Sequence, residues 1–410
     1  MSWVHTKFAA ALKFYNASAG HVTEVERERL IRLTALARKS GFELEGKQND
    51  YLLTDFEKIP EVIRNDLDVW KKYFQIELTT EAAALAKGLQ TISVEVSARG
   101  EGSSLKFQWI FLLGNVELNR EQIRAVLNGG REPVLLPQLG LVKLSDDQAD
   151  IVSDWKETIL SEDGALPKYM LFSLFRQDAL PIRLSKDLES WSRSLMEEPP
   201  VLQGESLPEF LRDYQRKGVA YLSHMLSHDC HPLLADEMGL GKTVQMLTLL
   251  NSLMDETPEA MPSLVVAPAS VVPVWMGEIK KRFPKRKVEV LSQDNPVKAG
   301  KRVLWLASYG QLKRQSEALE GVAFDFAVLD EAQMIKNPQT KAAKACYSLS
   351  AARRVAMTGT PVENRPMDLW SVFRFLMPGL LGGSAKFELL AQTDAQKLVE
   401  RLHQQVSPFI

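Results

Sequence analysis

Only two of the 410 residues are cysteine, Cys230 and Cys346, and they lie far apart in the chain. Such a pair builds no disulfide framework, and so sparing a use of cysteine points to a reducing compartment. Long hydrophobic runs are missing too: no stretch approaches the length of a membrane-spanning helix. Near the N-terminus, Ala17-Ser18-Ala19 has the small residues of a processing site. The apolar run before it, Phe8 to Leu12, is broken by Lys13 and is too short for a secretory leader. Excess charge of one sign is also lacking, since 50 basic residues face 52 acidic ones for a net charge of −2. Contact with a polyanion would therefore have to come from a local basic patch. There is no internal repeat and no low-complexity tract. The chain does have 45% hydrophobic and 25% charged residues, the mixture of a globular protein, and enough length for two or three cores.

Residues 1–200 read as an α+β accessory domain, with a helical part over 1–88 and a β-containing part over 89–198. Thr23 and Glu26 have the spacing of a capping box ahead of a helix carrying Leu30, Leu33 and Leu36. Ile92, Val94 and Val96 alternate with polar residues, as do Leu105, Phe107, Trp109 and Phe111. The two runs flank Arg99-Gly100-Glu101-Gly102 and predict a β-hairpin. Gly129-Gly130 and Gly140 punctuate two further short strands. Ser145 and Gln148 then predict a cap for a helix with Ile151, Trp155 and Ile159 on one face. The aromatic strand face carries no interleaved arginine or lysine, so it reads as core and not as a base-stacking platform.

Pro199-Pro200 and the polar stretch to Pro208 read as a linker, centred on 201–210, and the pattern then changes. Short apolar runs at 232–235, 264–267, 288–291, 303–307, 325–329 and 353–358 alternate with helical stretches over 211–410. That rhythm predicts an α/β fold, a parallel sheet with helices on both faces, whose ligands bind at the carboxyl ends of the strands.

The chemistry-bearing residues fall at those ends. In Leu233 to Val244, LLADEMGLGKTV, an apolar run leads through Asp236, Met238, Gly239, Leu240 and Gly241 to Lys242, Thr243 and Val244 at the start of a helix. Glycines let the backbone turn its N–H groups toward phosphate oxygens, and a helix N-terminus adds positive potential. Lys242 suits the β- and γ-phosphates of ATP, and the Thr243 hydroxyl suits Mg²⁺. Asp236 stands where the strict phosphate-loop pattern has its first glycine. After the run ending at Leu329 come Asp330 and Glu331, one carboxylate to share Mg²⁺ with Thr243 and one to orient or deprotonate the attacking water. Upstream, in LRDYQ, Gln215 beside Arg212 has the donor and acceptor that adenine requires. Met357-Thr358-Gly359-Thr360-Pro361 is a further strand end, placed to sense the γ-phosphate. His224, His228, Cys230 and His231 superficially suggest a metal site, but their position at a helix end and the turn that follows favours structural roles.

LRDYQRKGVAYL, LLADEMGLGKTVQ, VVAPASVVPVWMGEIKKRF, SYGQL, VLDEAQMIKNPQTKAAKA and MTGTPVENRPMDLWSVFRFLMPGLLG together resemble the first RecA-like lobe of a SWI/SNF-type ATPase, over roughly residues 207–410. The aspartate at the first position of the phosphate loop is that family's habit. Residues 1–200 resemble, less closely, the accessory domain that precedes the motor in bacterial members. The resemblance implies a motor that hydrolyses ATP with Mg²⁺ and translocates along double-stranded DNA. Carried over by position, Gln215 reads adenine, Lys242 and Thr243 bind phosphate and Mg²⁺, and Asp330 and Glu331 act on the water and metal. Pro268 to Ser270, Ser308 with Tyr309, and Lys336 with Asn337 contact the sugar-phosphate backbone. The basic cluster from Lys280 to Lys287 either widens that surface or is a solvated turn. Gln333 stands where many members have histidine, so coupling between ATP and DNA is expected to be tuned and not lost.

A second RecA-like lobe with arginine fingers, worth roughly 10³–10⁵ in rate, is expected beyond Ile410, since no QxxRxxRxGQ-like stretch occurs. The 410 residues accordingly read as an N-terminal fragment with very weak activity of its own. The resemblance further implies a cytoplasmic, nucleoid-associated protein acting on DNA or on a DNA-bound protein such as RNA polymerase. Two other readings remain open at this stage, an RNA helicase and a non-enzymatic nucleotide-gated binding module.

Overall fold

The computed structural model describes residues 10–12, 24–45, 50–53, 55, 58–74, 76, 78, 80–161, 164–174, 180–199, 207–254, 261–298, 300–359 and 366–410. The chain divides into two compact units, residues 1–96 with 109–162 and residues 97–108 with 163–410. Thr23, the Ala17-Ser18-Ala19 stretch, most of the 201–210 linker, and Thr360 and Pro361 lie outside the described residues.

In the first unit a helix over Glu24–Lys39 buries Leu33 and Ala37 with Phe42, Leu53, Ile59, Val62, Leu67 and Trp70. The expected hairpin forms from Leu89–Glu101 and Ser104–Leu113, its outer part, 97–108, falling in the second unit, and it turns at Gly102 (φ 60°), the last residue of the expected turn. The expected cap by Ser145 and Gln148 is not made. A helix does run over Asp146–Asp154, but the Ser145 side chain makes no capping bond. The Gln148 amide instead donates to Val94 O (3.0 Å) and accepts from Val94 N–H (2.8 Å). A buried strand backbone left without a partner there costs more than an uncapped helix end in solvent, and it captures the amide.

The second unit contains a six-stranded sheet of β1 (Leu233–Leu234), β2 (Ser263–Ala267), β3 (Val288–Val290), β4 (Leu304–Ser308), β5 (Ala323–Leu329) and β6 (Ser350–Met357). The order is β1-β6-β5-β2-β4-β3, and every pairing is parallel. The helices named below are α1 (Lys186–Met196), α2 (Asp213–Ser227), α3 (Lys242–Leu253), α4 (Val272–Arg282), α5 (Tyr309–Arg314), α6 (Lys341–Tyr347) and α7 (Pro366–Leu376). Val265, Ala267, Leu304, Leu306, Phe326, Val328, Val355 and Met357 form one core with residues of α2, α3 and α4. The alternate residues, Leu264, Val266, Trp305, Ala307, Ala327, Leu329 and Ala356, are equally buried. With a side-chain period of two they line the opposite face, where α5 and α7 meet the sheet. Continuous apolar runs are what a sheet covered on both sides requires, and this mixed α/β architecture is the expected one.

Because all strands point the same way, the loops after Leu234, Ala267, Ser308, Leu329 and Met357 leave from one edge. Register fixes this: Leu234 pairs with Met357, Leu329 with Ala356, and Val266 with both Leu329 and Ala307. Residues 164–199 also belong to this unit. Leu171 and Leu188 pack with Ala98 and Leu105. The Phe172 ring meets Phe409 edge-on at 5.1 Å, and Gln405 Nε2 donates to Ser173 O (3.1 Å).

Candidate nucleotide site

The loop between β1 and α3 turns on two left-handed glycines, Gly239 (φ 87°) and Gly241 (φ 76°). A side chain at 241 would be strained by that φ, and its Cβ would also lie 2.5 Å from Gln215 Nε2. Gly241 O accepts from the N–H groups of Val244 and Gln245. The N–H groups of Lys242 and Thr243, in the first turn of α3, have no intrahelical acceptor. They face the anion-attracting end of a helix of 12 residues.

Lys242 is 8% exposed and curls back into the loop, where its ammonium donates to Asp236 O (2.8 Å) and Glu237 O (3.0 Å). Asp236, at the atypical first position, accepts from Gln245 Nε2 (3.0 Å) and so ties the loop to α3. Gln215 lies buried at the start of α2. Its Oε1 accepts from Arg212 N–H (3.1 Å) and its Nε2 donates to Leu240 O (3.1 Å), so both ends of the amide are engaged. Met238 is largely exposed, while Thr243 and Val244 are half-buried.

Asp330 directly follows β5 and is 5% exposed. Its Oδ2 accepts from Trp275 Nε1 (2.7 Å) and its Oδ1 from Glu331 N–H (2.9 Å). Burial pushes the Asp330 carboxyl above its usual range, the Glu331 charge pushes the same way, and the hydrogen bonds and the nearby Lys242 ammonium oppose it. Glu331 follows in a left-handed conformation (φ 50°, ψ 57°), which turns its carboxylate away from the strand. There its Oε2 accepts from Gln333 Nε2 (2.7 Å), and Gln333 Oε1 accepts from the buried Thr358 hydroxyl (2.9 Å). One glutamine, by donating at one end and accepting at the other, joins the loop after β5 to the end of β6.

One residue expected on a nucleic-acid face, Tyr309, lies differently, while its neighbour Ser308 stays half-buried at the strand end. Tyr309 is buried, and its hydroxyl donates to Asp330 O (2.8 Å), so its ring is not presented outward. Full burial carries its phenol well above the ordinary range. Ser308 makes a capping box with Gln311. By contrast Ser270, Lys336 and Asn337 are exposed and Pro268 is half-buried, all at the edge where the strands end. In the basic cluster, Lys280, Lys281, Lys285 and Lys287 are exposed. Arg282 pairs with Glu278 (2.6 Å), and Arg286 binds Asn251 (3.0 Å).

The histidines are held by neighbours. His224 Nε2 meets Leu195 O (3.3 Å), while His228 meets His224 O (2.8 Å) and Ser194 Oγ (3.1 Å). His231 Nδ1 accepts from Arg354 N–H (3.2 Å). Among the described residues no group of three or more potential ligands is arranged to hold a metal.

What this edge can do follows from its parts. A buried ammonium, free helix N–H groups and left-handed glycines suit a polyphosphate, and a hydroxyl with a buried carboxylate suits Mg²⁺. A second carboxylate on a turned-out backbone suits a water molecule. Trp275, a donor to Asp330, left no signal in the sequence beyond a polar aromatic on an apolar-periodic helix, and Tyr309 was legible there only as a nucleic-acid contact.

Against known proteins, residues 214–410 match the SNF2-related domain. The chain is 28% identical over 401 residues to the uncharacterized ATP-dependent helicase MG018 of Mycoplasma genitalium, an alignment covering 88% of this chain and 38% of that protein. It is 33% identical over 233 residues to the TATA-binding protein-associated factor MOT1 of Saccharomyces cerevisiae, covering 49% of this chain and 12% of that one. The chain therefore spans well under half the length of these curated relatives. Among solved structures it is similar to the Sulfolobus solfataricus SWI2/SNF2 ATPase core in complex with dsDNA, at 38% identity, TM-score 0.47, and coverage of 51% of this chain and 46% of that one.

Proposed function

The chain carries an SNF2-related domain in residues 214–410, and from that premise we propose that it is the ATP-binding half of an ATP-dependent double-stranded DNA translocase. One observation carries the reading. Parallel register brings Lys242, Thr243, Asp330 and Glu331 to one edge, with the Lys242 charge acting on the Asp330 carboxylate. In this reading Lys242 and the N–H groups of Lys242 and Thr243 hold the β- and γ-phosphates of ATP. The Thr243 hydroxyl and Asp330 hold Mg²⁺, which supplies charge neutralisation at the transferring phosphoryl group when bound. Glu331 orients the attacking water and takes its proton. Adenine falls to Gln215, whose amide would exchange its bonds to Arg212 N–H or Leu240 O for the base, while Asp236, Met238, Gly239, Leu240, Gly241 and Val244 shape the loop. Pro268, Ser270, Ser308, Lys336 and Asn337 meet the sugar-phosphate backbone, which positions without reading sequence.

The same reading takes 211–410 as the first RecA-like lobe and residues 1–200 as an accessory region, of which 97–108 and 163–200 fall in the same compact unit as that lobe. The remaining transition-state charge is met by arginines of a second lobe, on polypeptide outside these residues. The cargo is DNA or a DNA-bound protein such as RNA polymerase, at the nucleoid.

The test is ATP hydrolysis with and without double-stranded DNA, by this chain and by a form extended through a second lobe. We expect DNA-stimulated turnover in the extended form and its loss in Glu331→Gln. Retention of nucleotide binding with no response to DNA in either form would overturn the motor reading.

A further inference from the structure

Asp330 is held more firmly than a strand-end carboxylate needs to be. Its N–H donates to Val266 O (2.8 Å), its C=O accepts from Tyr309 Oη (2.8 Å), Oδ2 accepts from Trp275 Nε1 (2.7 Å), and Oδ1 accepts from Glu331 N–H (2.9 Å). Two of these donors come from other elements. Trp275 lies on α4 and is fully buried, within the same core as Leu250, Val265 and Ile279. Tyr309 begins α5 and is 4% exposed. At both sites leucine or phenylalanine would fill an apolar pocket without bringing in a polar atom that must find a partner. Each aromatic residue instead turns its single polar group to the same residue, one to its side chain and one to its backbone.

From this convergence we infer that Trp275 and Tyr309 are positioning residues that clamp Asp330 as the Mg²⁺ ligand of the nucleotide site, an inference that rests on the Proposed function for Asp330. Each carboxylate oxygen keeps a lone pair beyond the bond it accepts. The Trp275 bond fixes the rotation of the carboxylate about its Cβ–Cγ bond, and the Tyr309 bond fixes the peptide from which the carboxylate projects. A metal site so held loses less freedom when it binds the ion. Partners of this kind typically contribute tenfold to a hundredfold to metal affinity. The clamp also ties Asp330 to α4, which follows the loop carrying Ser270, and to α5, which is capped by Ser308.

The experiment is calorimetric titration of the full chain with ADP, in Mg²⁺ and in EDTA, for the wild type and for Trp275→Phe, Tyr309→Phe and Asp330→Asn. The quantity read is the gain in ADP affinity that Mg²⁺ brings. Trp275→Phe is expected to cut that gain about tenfold or more, and Tyr309→Phe by several-fold, with affinity in EDTA unchanged for both. A purely structural role would lower the melting temperature and leave the gain alone. If the two aromatic variants keep the wild-type gain while Asp330→Asn loses it, the clamp is wrong and the metal assignment stands. If Asp330→Asn keeps the gain, or the wild type shows none, the metal assignment fails and takes the clamp with it. Should Trp275→Phe not fold, Tyr309→Phe decides, because it removes only one hydroxyl.

Discussion

Glu331 occupies a backbone conformation that costs a non-glycine residue roughly 1–2 kcal/mol. Strain of this kind persists where the surrounding structure fixes it, and here it aims a carboxylate out of the sheet edge. Glu331→Gly should therefore stabilise the fold by about 1 kcal/mol in denaturant unfolding, while the ATP hydrolysis that the proposed function assigns to the two-lobe form is lost. A variant that is both less stable and inactive would show that the left-handed turn is not under strain. Gln333 makes a related point. As an amide it bridges Glu331 and Thr358 with a fixed donor and a fixed acceptor. A histidine there would have to choose a tautomer and would lose the bridge's acceptor on protonation. The boxes of residues were legible from the sequence because each is built of backbone turns and short local spacing. The bridge was not, since it joins positions 25 residues apart by the orientation of one amide.

At the scale of elements, the six strands fall where apolar runs alternate with helical stretches, and a parallel sheet covered on both faces leaves that mark in any sequence. The segment over 164–199 left none. It reads as the end of an accessory region, yet Tyr169 Oη donates to Pro378 O (3.2 Å), His228 meets Ser194 on α1, and Phe172 packs on Phe409. Because Phe172 is 1% exposed, Phe172→Ala should destabilise the second unit by about 3–5 kcal/mol. Denaturant unfolding of the wild type and the variant measures this. A loss below about 0.5 kcal/mol, the size of a surface change, would mean that the segment is not part of that unit's core.

For the molecule as a whole, balanced charge leaves acid sensitivity to a few buried groups. Burial holds the His231 imidazole down at about 4, against 6.5 in an exposed histidine, and the Arg354 charge acts in the same sense. The folded state keeps this ring neutral while the unfolded chain protonates, so its contribution is intact above pH 6.5 and is lost progressively toward pH 4. Between pH 7 and pH 5 the loss is about 2 kcal/mol. His231→Asn, which can still accept from Arg354 N–H, should flatten that slope in unfolding curves taken across the interval. An unchanged slope would place the acid sensitivity elsewhere. Asp330 works in the opposite sense, since its raised carboxyl favours the folded state on the acid side.

Local periodicity, turn chemistry and short spacing were enough to read the mixed α/β class and the order of the boxes along the chain, and to nominate the residues that the proposed function assigns to phosphate and metal. Tertiary structure alone decided that Tyr309 turns inward and not toward a nucleic acid, that Trp275 reaches Asp330 across 55 positions, and that Gln148 serves a strand and not a helix end. The physical reason is common to all three. A buried polar group takes whichever partner the packed chain brings within 3 Å, and which one that is depends on strand register and helix placement set by the whole core.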